Sequence, residues 1–153
     1  MEPSRLGAIR QFFRGTDYAV VGVSRRPRGF GWIALNELKR RGYSVFAVNR
    51  HPGTYNQTEY YSSISSIPRQ PKAAVVVTPP GESRRLVPEL IRQGVNQIWL
   101  QPGAESEEVV KLCLDQGVNV VHGWCILMFA EPVRSIHRLH RGLLGLAGRL
   151  PRG

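Results

Sequence analysis

The sequence predicts an α/β fold, a single doubly wound parallel sheet of about five strands with helices on both faces. Three observations carry that prediction. Five short β-branched runs are apolar nearly throughout, as strands covered on both faces must be. Helical patterns separate them, and these helices end at Gly42, Gly94 and Gly117, each just before the next strand. With 153 residues the chain can build one core but hardly two.

In chain order, Leu6, Ile9, Phe12 and Phe13 have helical spacing and cover one face of the sheet. Strands are expected at Tyr18–Val23, Tyr43–Val48, Ala73–Thr78, Gln97–Leu100 and Asn119–Val121. The first crossover helix should run from Trp32 to Arg41, offering Ile33, Leu35 and Leu38 to the sheet. The second should run from Ser83 to Gln93, and the third from Ser106, whose hydroxyl can cap the first turn, to Gly117. Residues 51–70 interrupt the cadence with a polar stretch; Ile64 and Ile67 before Pro68 suggest one short helical turn. Right-handed crossovers then place all five strands in one sheet. The expected organisation is an N-terminal helical segment at 1–14, the sheet domain at 15–128 and a basic tail at 129–153. That tail, from Pro132 to Gly148, reads as an amphipathic helix weakened by three glycines.

Lys plus Arg number 21 against 11 Asp plus Glu, a formal charge of +10 that favours anionic partners. No apolar run reaches membrane-spanning length, and no segment resembles a signal peptide, so the expected location is the cytoplasm. Cys113 and Cys125 are expected as reduced thiols.

Ligands of open parallel sheets bind where loops leave the carboxyl ends of the strands. The first such loop, residues 22–31, carries Gly22, Val23, Ser24, Arg25, Arg28 and Gly31: glycines for close backbone approach, a hydroxyl and guanidinium groups, a set suited to a diphosphate. Its spacing departs from G-x-G-x-x-G, the usual dinucleotide fingerprint. After the second strand come Asn49 and Arg50, where an acidic residue would hold a free ribose and a basic one suits a phosphorylated ribose. Thr78, Pro79 and Pro80 form a stiff, largely apolar ledge for an adenine ring or ribose. Gln101, Pro102 and Gly103 could line the path of a ligand leaving that site.

The joint order of Gly22-Val23-Ser24, Val48-Asn49, Thr78-Pro79-Pro80 and Trp99-Leu100-Gln101-Pro102-Gly103 resembles the CoA-binding domain family, which is related to the nucleotide-binding domain of the succinyl-CoA synthetase alpha subunit. The resemblance covers about residues 15–128. It implies a Rossmann-like fold holding CoA or acyl-CoA, with Gly22 to Arg25 at the diphosphate and Asn49 and Arg50 at the phosphorylated ribose. It further implies Pro79 and Pro80 beside adenine, and Gln101 to Gly103 nearer the pantetheine arm. The chain departs from the family where Arg50-His51 precede Pro52 and where Pro79-Pro80-Gly81 replaces a charged turn.

No catalytic residue is assigned. The synthetase carries its phosphorylated histidine in a second domain, for which this chain has no room. His122 and Cys125 stand at the carboxyl edge, but the run Cys125–Phe129 reads as packing. His137 and His140 lack a third metal ligand, so no metal is expected. The leading reading is a small CoA-binding module, with self-association or a separate acyltransferase or ligase as the expected partner. The alternatives are an NADP-linked or CoA-dependent enzyme or ligase-related fragment, or a nonspecific nucleic-acid binder using the basic charge. The missing acid/base pair counts against the first, and the lack of interleaved aromatics against the second.

Overall fold

The computed structural model describes residues 1–132; the expected tail helix lies outside the described residues. Helix α1 (Leu6–Phe12) leads into β1 (Asp17–Val21), α2 (Gly29–Arg40) and β2 (Ser44–Val48). A hairpin of β3 (Gly53–Tyr55) and β4 (Thr58–Tyr61) follows, then a 3-10 turn at Ile64–Ser66. The second half runs β5 (Ala73–Val76), α3 (Pro80–Arg92), β6 (Gln97–Leu100), α4 (Glu107–Asp115) and β7 (Asn119–Val121), closed by a 3-10 turn at Ile126–Met128.

The strands form one sheet in the order β3-β4-β2-β1-β5-β6-β7. All neighbours are parallel except β3 against β4. The five expected strands are present, and the sheet is larger than expected by the hairpin. Gly53-Thr54-Tyr55 and Thr58–Tyr61 are too short and too polar to show alternation, and the turn uses Asn56 and Gln57 at φ of 50° and 61° where glycine would have signalled it.

Alternation along β1 divides the core. Tyr18 and Val20 face one side, with Ile9, Phe12, Leu35, Leu38 and Trp99; Ala19 and Val21 face the other, with Ile64, Ile67, Val87, Leu90 and Val109. Helices α1 and α2 therefore cover one face, and α3 and α4 the other. Helix α2 starts three residues earlier than expected; its buried stripe is Gly31, Ala34, Leu35 and Leu38, and Ile33, expected to face the sheet, is half exposed. Helix α3 likewise starts at Pro80, a residue whose missing N–H costs nothing in a first turn. Ser106 caps α4 as expected, its Oγ accepting the Val109 N–H at 3.2 Å.

Helix α1 has seven residues and no side-chain cap, too little to hold alone. Packing decides its fate: Phe12 is fully buried, 5.3 Å from the Trp99 ring and 5.4 Å from Tyr18. Burying Phe12 and Ile9 contributes about 1.5–3 kcal/mol each, which together offsets the roughly 4 kcal/mol cost of nucleating one helical turn. The core extends through Phe129 and Ala130. There the buried Arg41 pairs with Glu37 at 3.0 Å and donates to the Leu127 and Ala130 carbonyls, tying the last described segment to α2.

Tyr18 donates its hydroxyl proton to the Gly15 carbonyl at 2.8 Å inside this cluster. Burial raises its pKa from 10.0 to about 12, with Tyr43 adding to the rise. Above pH 10 the unfolded chain loses this proton while the folded chain keeps it, so stability present below pH 10 falls as pH climbs to about 12. Urea titrations across that window should give a shallower loss for Tyr18→Phe than for the parent. Equal slopes would assign the alkaline loss to other groups.

A basic site at the carboxyl edge of the sheet

The chain leaves β1 for β2 on one side and later enters β5 on the other, so the loops after β1 and β5 meet at the point where strand order reverses. They meet closely. A Cβ at Gly22, whose φ is +100°, would lie 2.6 Å from Thr78 Cγ2, and one at Gly31 would lie 2.8 Å from Val77 Cγ2 and 3.2 Å from Val23 Cα. Gly22 makes the turn and Gly31 lets the first turn of α2 lie against it. Thr78 is buried and occupied locally, its Oγ1 2.8 Å from Ser83 Oγ.

The loop after β1 is held from its β2 side by three successive carbonyls. Asn49 Nδ2 donates to the Val23 carbonyl at 2.8 Å, Tyr60 Oη to Ser24 at 2.7 Å, and Asn56 Nδ2 to Arg25 at 3.2 Å. Asn49 Oδ1 also accepts the His51 N–H at 2.9 Å, so one side chain joins both loops. The Arg25 guanidinium carbon lies 5.1 Å from the Tyr55 ring centre, within cation–π range. The hairpin that the sequence concealed is thus the brace of the loop the sequence singled out. Tyr55, Asn56 and Tyr60 were missed; the adjacent tyrosines 60 and 61 after a polar turn were the one available signal.

These bonds direct carbonyl oxygens, the negative ends of the peptides, toward the brace. At α2 the Ncap residue Arg28 is extended (φ −150°, ψ 161°) and provides no side-chain cap. First-turn N–H groups of a helix then remain for an anion, with the positive end of the helix dipole behind them. Ser24, Arg25, Arg26, Arg28, Asn49, Arg50 and His51 line a cleft of about 360 Å³ here. Among the described residues none of its four arginines forms an ion pair.

A second cleft of about 260 Å³ shares Asn49 and Arg50 with the first and continues over Gly22, Val48, Thr78, Pro79, Glu82 and Leu86. It differs in chemistry: Val48, Pro79 and Leu86 are apolar, and Glu82 is a hydrogen-bond acceptor in the first turn of α3. One cleft attracts anions and its neighbour suits an uncharged ring with donor groups.

Of the residues singled out from sequence, Gly22, Ser24, Arg25, Arg28, Asn49, Arg50, Thr78 and Pro79 line these two clefts. Val23 is buried beneath them and Gly31 packs against their floor. Pro80 enters α3, and Gln101, Pro102 and Gly103 line neither cleft. Gln101 is buried and its Oε1 accepts the Ile126 N–H at 3.2 Å. His122 is buried too; its backbone N–H donates to Ser4 Oγ at 2.9 Å, and burial holds its imidazole pKa below the ordinary value against the pull of Glu105. Among the described residues no group of three or more His, Cys, Asp or Glu could hold a metal ion.

Comparison with known proteins agrees with this geometry. The chain matches the CoA binding domain family over residues 16–131, well over half its length. A conserved hypothetical protein from Pyrococcus furiosus is 33% identical, with 72% of this chain and 95% of that one covered and a TM-score of 0.66. A hypothetical protein from Pyrococcus horikoshii OT3 is 25% identical over 95% of this chain and 100% of its own, with a TM-score of 0.71. A dinucleotide-forming acetyl-coenzyme A synthetase from Ca. Korarchaeum cryptofilum shares the fold at 23% identity and a TM-score of 0.59; the match takes in 69% of this chain but 25% of that enzyme. No protein of curated function matches the chain. With that family match over a Rossmann-like sheet, the chain belongs to the CoA binding domain family.

Proposed function

We propose that this chain is a small CoA-binding protein that holds CoA or acyl-CoA across the two joined clefts, with no catalytic residues of its own. Membership of the CoA binding domain family supports the ligand class. The observation that carries the residue assignment is the pairing of clefts through Asn49 and Arg50, one lined by four arginines, the other part apolar. CoA divides the same way, into phosphates and a neutral adenine.

In this reading the diphosphate takes the N–H groups at the start of α2 and contacts from Ser24, Arg25 and Arg28. Arg50 takes the phosphate on the ribose, and Asn49 sets the height of both loops. Adenine lies in the second cleft, against Pro79 and within reach of Glu82 as an acceptor for its amino group. Glu82 also keeps phosphate out of that cleft by charge. The pantetheine arm leaves toward Gln101, Pro102 and Gly103. Nothing in this arrangement supplies a general acid/base pair beside the ligand, so chemistry on the acyl group would come from a partner acyltransferase or ligase. The protein would act in the cytoplasm; among the described residues no helix is long and apolar enough to cross a membrane.

Isothermal titration with CoA, dephospho-CoA and NADP tests the assignment. The parent should bind CoA one to one and dephospho-CoA more weakly, and Arg50→Glu should lose about 10- to 100-fold for CoA with a much smaller change for dephospho-CoA. Equal losses would remove Arg50 from the ribose phosphate, and preference for NADP would replace the ligand.

The brace has its own test. Tyr60→Phe deletes only the hydroxyl that holds the Ser24 carbonyl. Affinity for CoA and dephospho-CoA should fall together by about 2- to 10-fold, with an unchanged circular dichroism spectrum. Undiminished affinity for both would mean that the loop keeps its shape without the hairpin.

A further inference from the structure

Another cleft lies at the opposite end of the sheet. It has a volume of about 540 Å³ and sits where β1, β5 and β6 begin, between the end of α1 and the turn before β5. It shares no residue with either carboxyl-edge cleft. Its size falls in the range of small-molecule sites rather than flat protein contacts.

Its charge is one-sided. Arg14, Arg69 and Lys72 line it against a single carboxylate, Asp17. That carboxylate is already committed: Oδ1 accepts from Ser44 Oγ at 2.7 Å and lies 3.1 Å from Arg69 Nε. The Arg69 contact is made through Nε, and the Arg69 side chain is largely exposed. Arg14 and Lys72 form no ion pair among the described residues. Arg14, Arg69 and Lys72 thus outnumber the carboxylates of one concavity, with Lys72 Nζ close beside Gly94 just past the end of α3, and this charge balance favours an anionic ligand.

Gln70, in the wall of this cleft, has φ of +42°, a left-handed conformation that costs a non-glycine residue about 1–3 kcal/mol. It sits directly before the buried Pro71, and its N–H donates to the Ile67 carbonyl at 3.0 Å, so the turn is closed by its own backbone. Pro71 and Gly15 add an uncharged wall.

We propose that this amino-edge cleft is a second anion site, which takes a phosphorylated small molecule of at least two negative charges on Arg14, Arg69 and Lys72. The site is independent of the CoA reading, since no residue is common to both.

Inorganic pyrophosphate is the probe, added to the full-length protein labelled with nitrogen-15 while backbone amide signals are followed. The expected result is saturable shifts at Gln70, Asn96 and Gln97, which line the cleft. The double variant Arg14→Ala/Lys72→Ala should weaken that saturation about 100-fold, roughly tenfold for each charge-assisted contact removed. Both positions are exposed, and the Lys72→Glu variant gives a second measure by reversing one charge. Shifts confined to residues 24–51, a linear response without saturation, or full affinity in both variants would each overturn the proposal. Failure of CoA to bind would leave it standing.

Discussion

Three consecutive carbonyls, those of Val23, Ser24 and Arg25, are held by side chains from the end of β2 and from the hairpin, and the carboxyl edge takes its character from that brace. A loop of glycine, proline and arginine has no intrinsic reason to keep its peptide dipoles aligned. Anchoring each oxygen fixes the loop in front of the start of α2, where the helix dipole favours an anion. The arginines then act in a field already positive. Without the brace the same residues would be a flexible cationic loop, attractive to any anion and selective for none.

The brace depends in turn on packing that no polar residue supplies. Strand β1 ends at Val21 in a fixed position because Tyr18 and Val20 sit among aromatic rings on one face while Ala19 and Val21 fill the other. Gly22 can then turn within contact distance of Thr78, and Gly31 can lie against Val23, because neither carries a Cβ to prevent it. Core, turn and amide orientation form one chain of cause.

Much of this was legible in the residues. The five apolar runs gave five strands of the sheet, and the glycines at 42, 94 and 117 do take left-handed φ after their helices. Loops that leave the carboxyl ends of parallel strands must share an edge, so Gly22, Asn49, Arg50 and Thr78 could be placed together before any geometry was known. Three things were hidden. The hairpin has strands of three and four residues and a left-handed turn made by Asn56 and Gln57, which leaves no periodicity and no glycine to read. The start of α2 was hidden because Gly29 and Phe30 read as loop, yet they form its first turn. Ile33, expected to face the sheet, is half exposed because the buried stripe runs through Ala34 instead. The roles of Asn56 and Tyr60 rest on contacts some thirty residues away in sequence, and local pattern carries no record of such contacts.

The most direct measurement is the map of backbone amide shifts when CoA is added to the protein labelled with nitrogen-15. The account predicts the largest saturable shifts at residues 24–32, a second group at Asn49–His51 and Glu82, and small changes along β1. Shifts centred on the amino-edge residues 69–72 and 96–97, with the loop after β1 undisturbed, would contradict it.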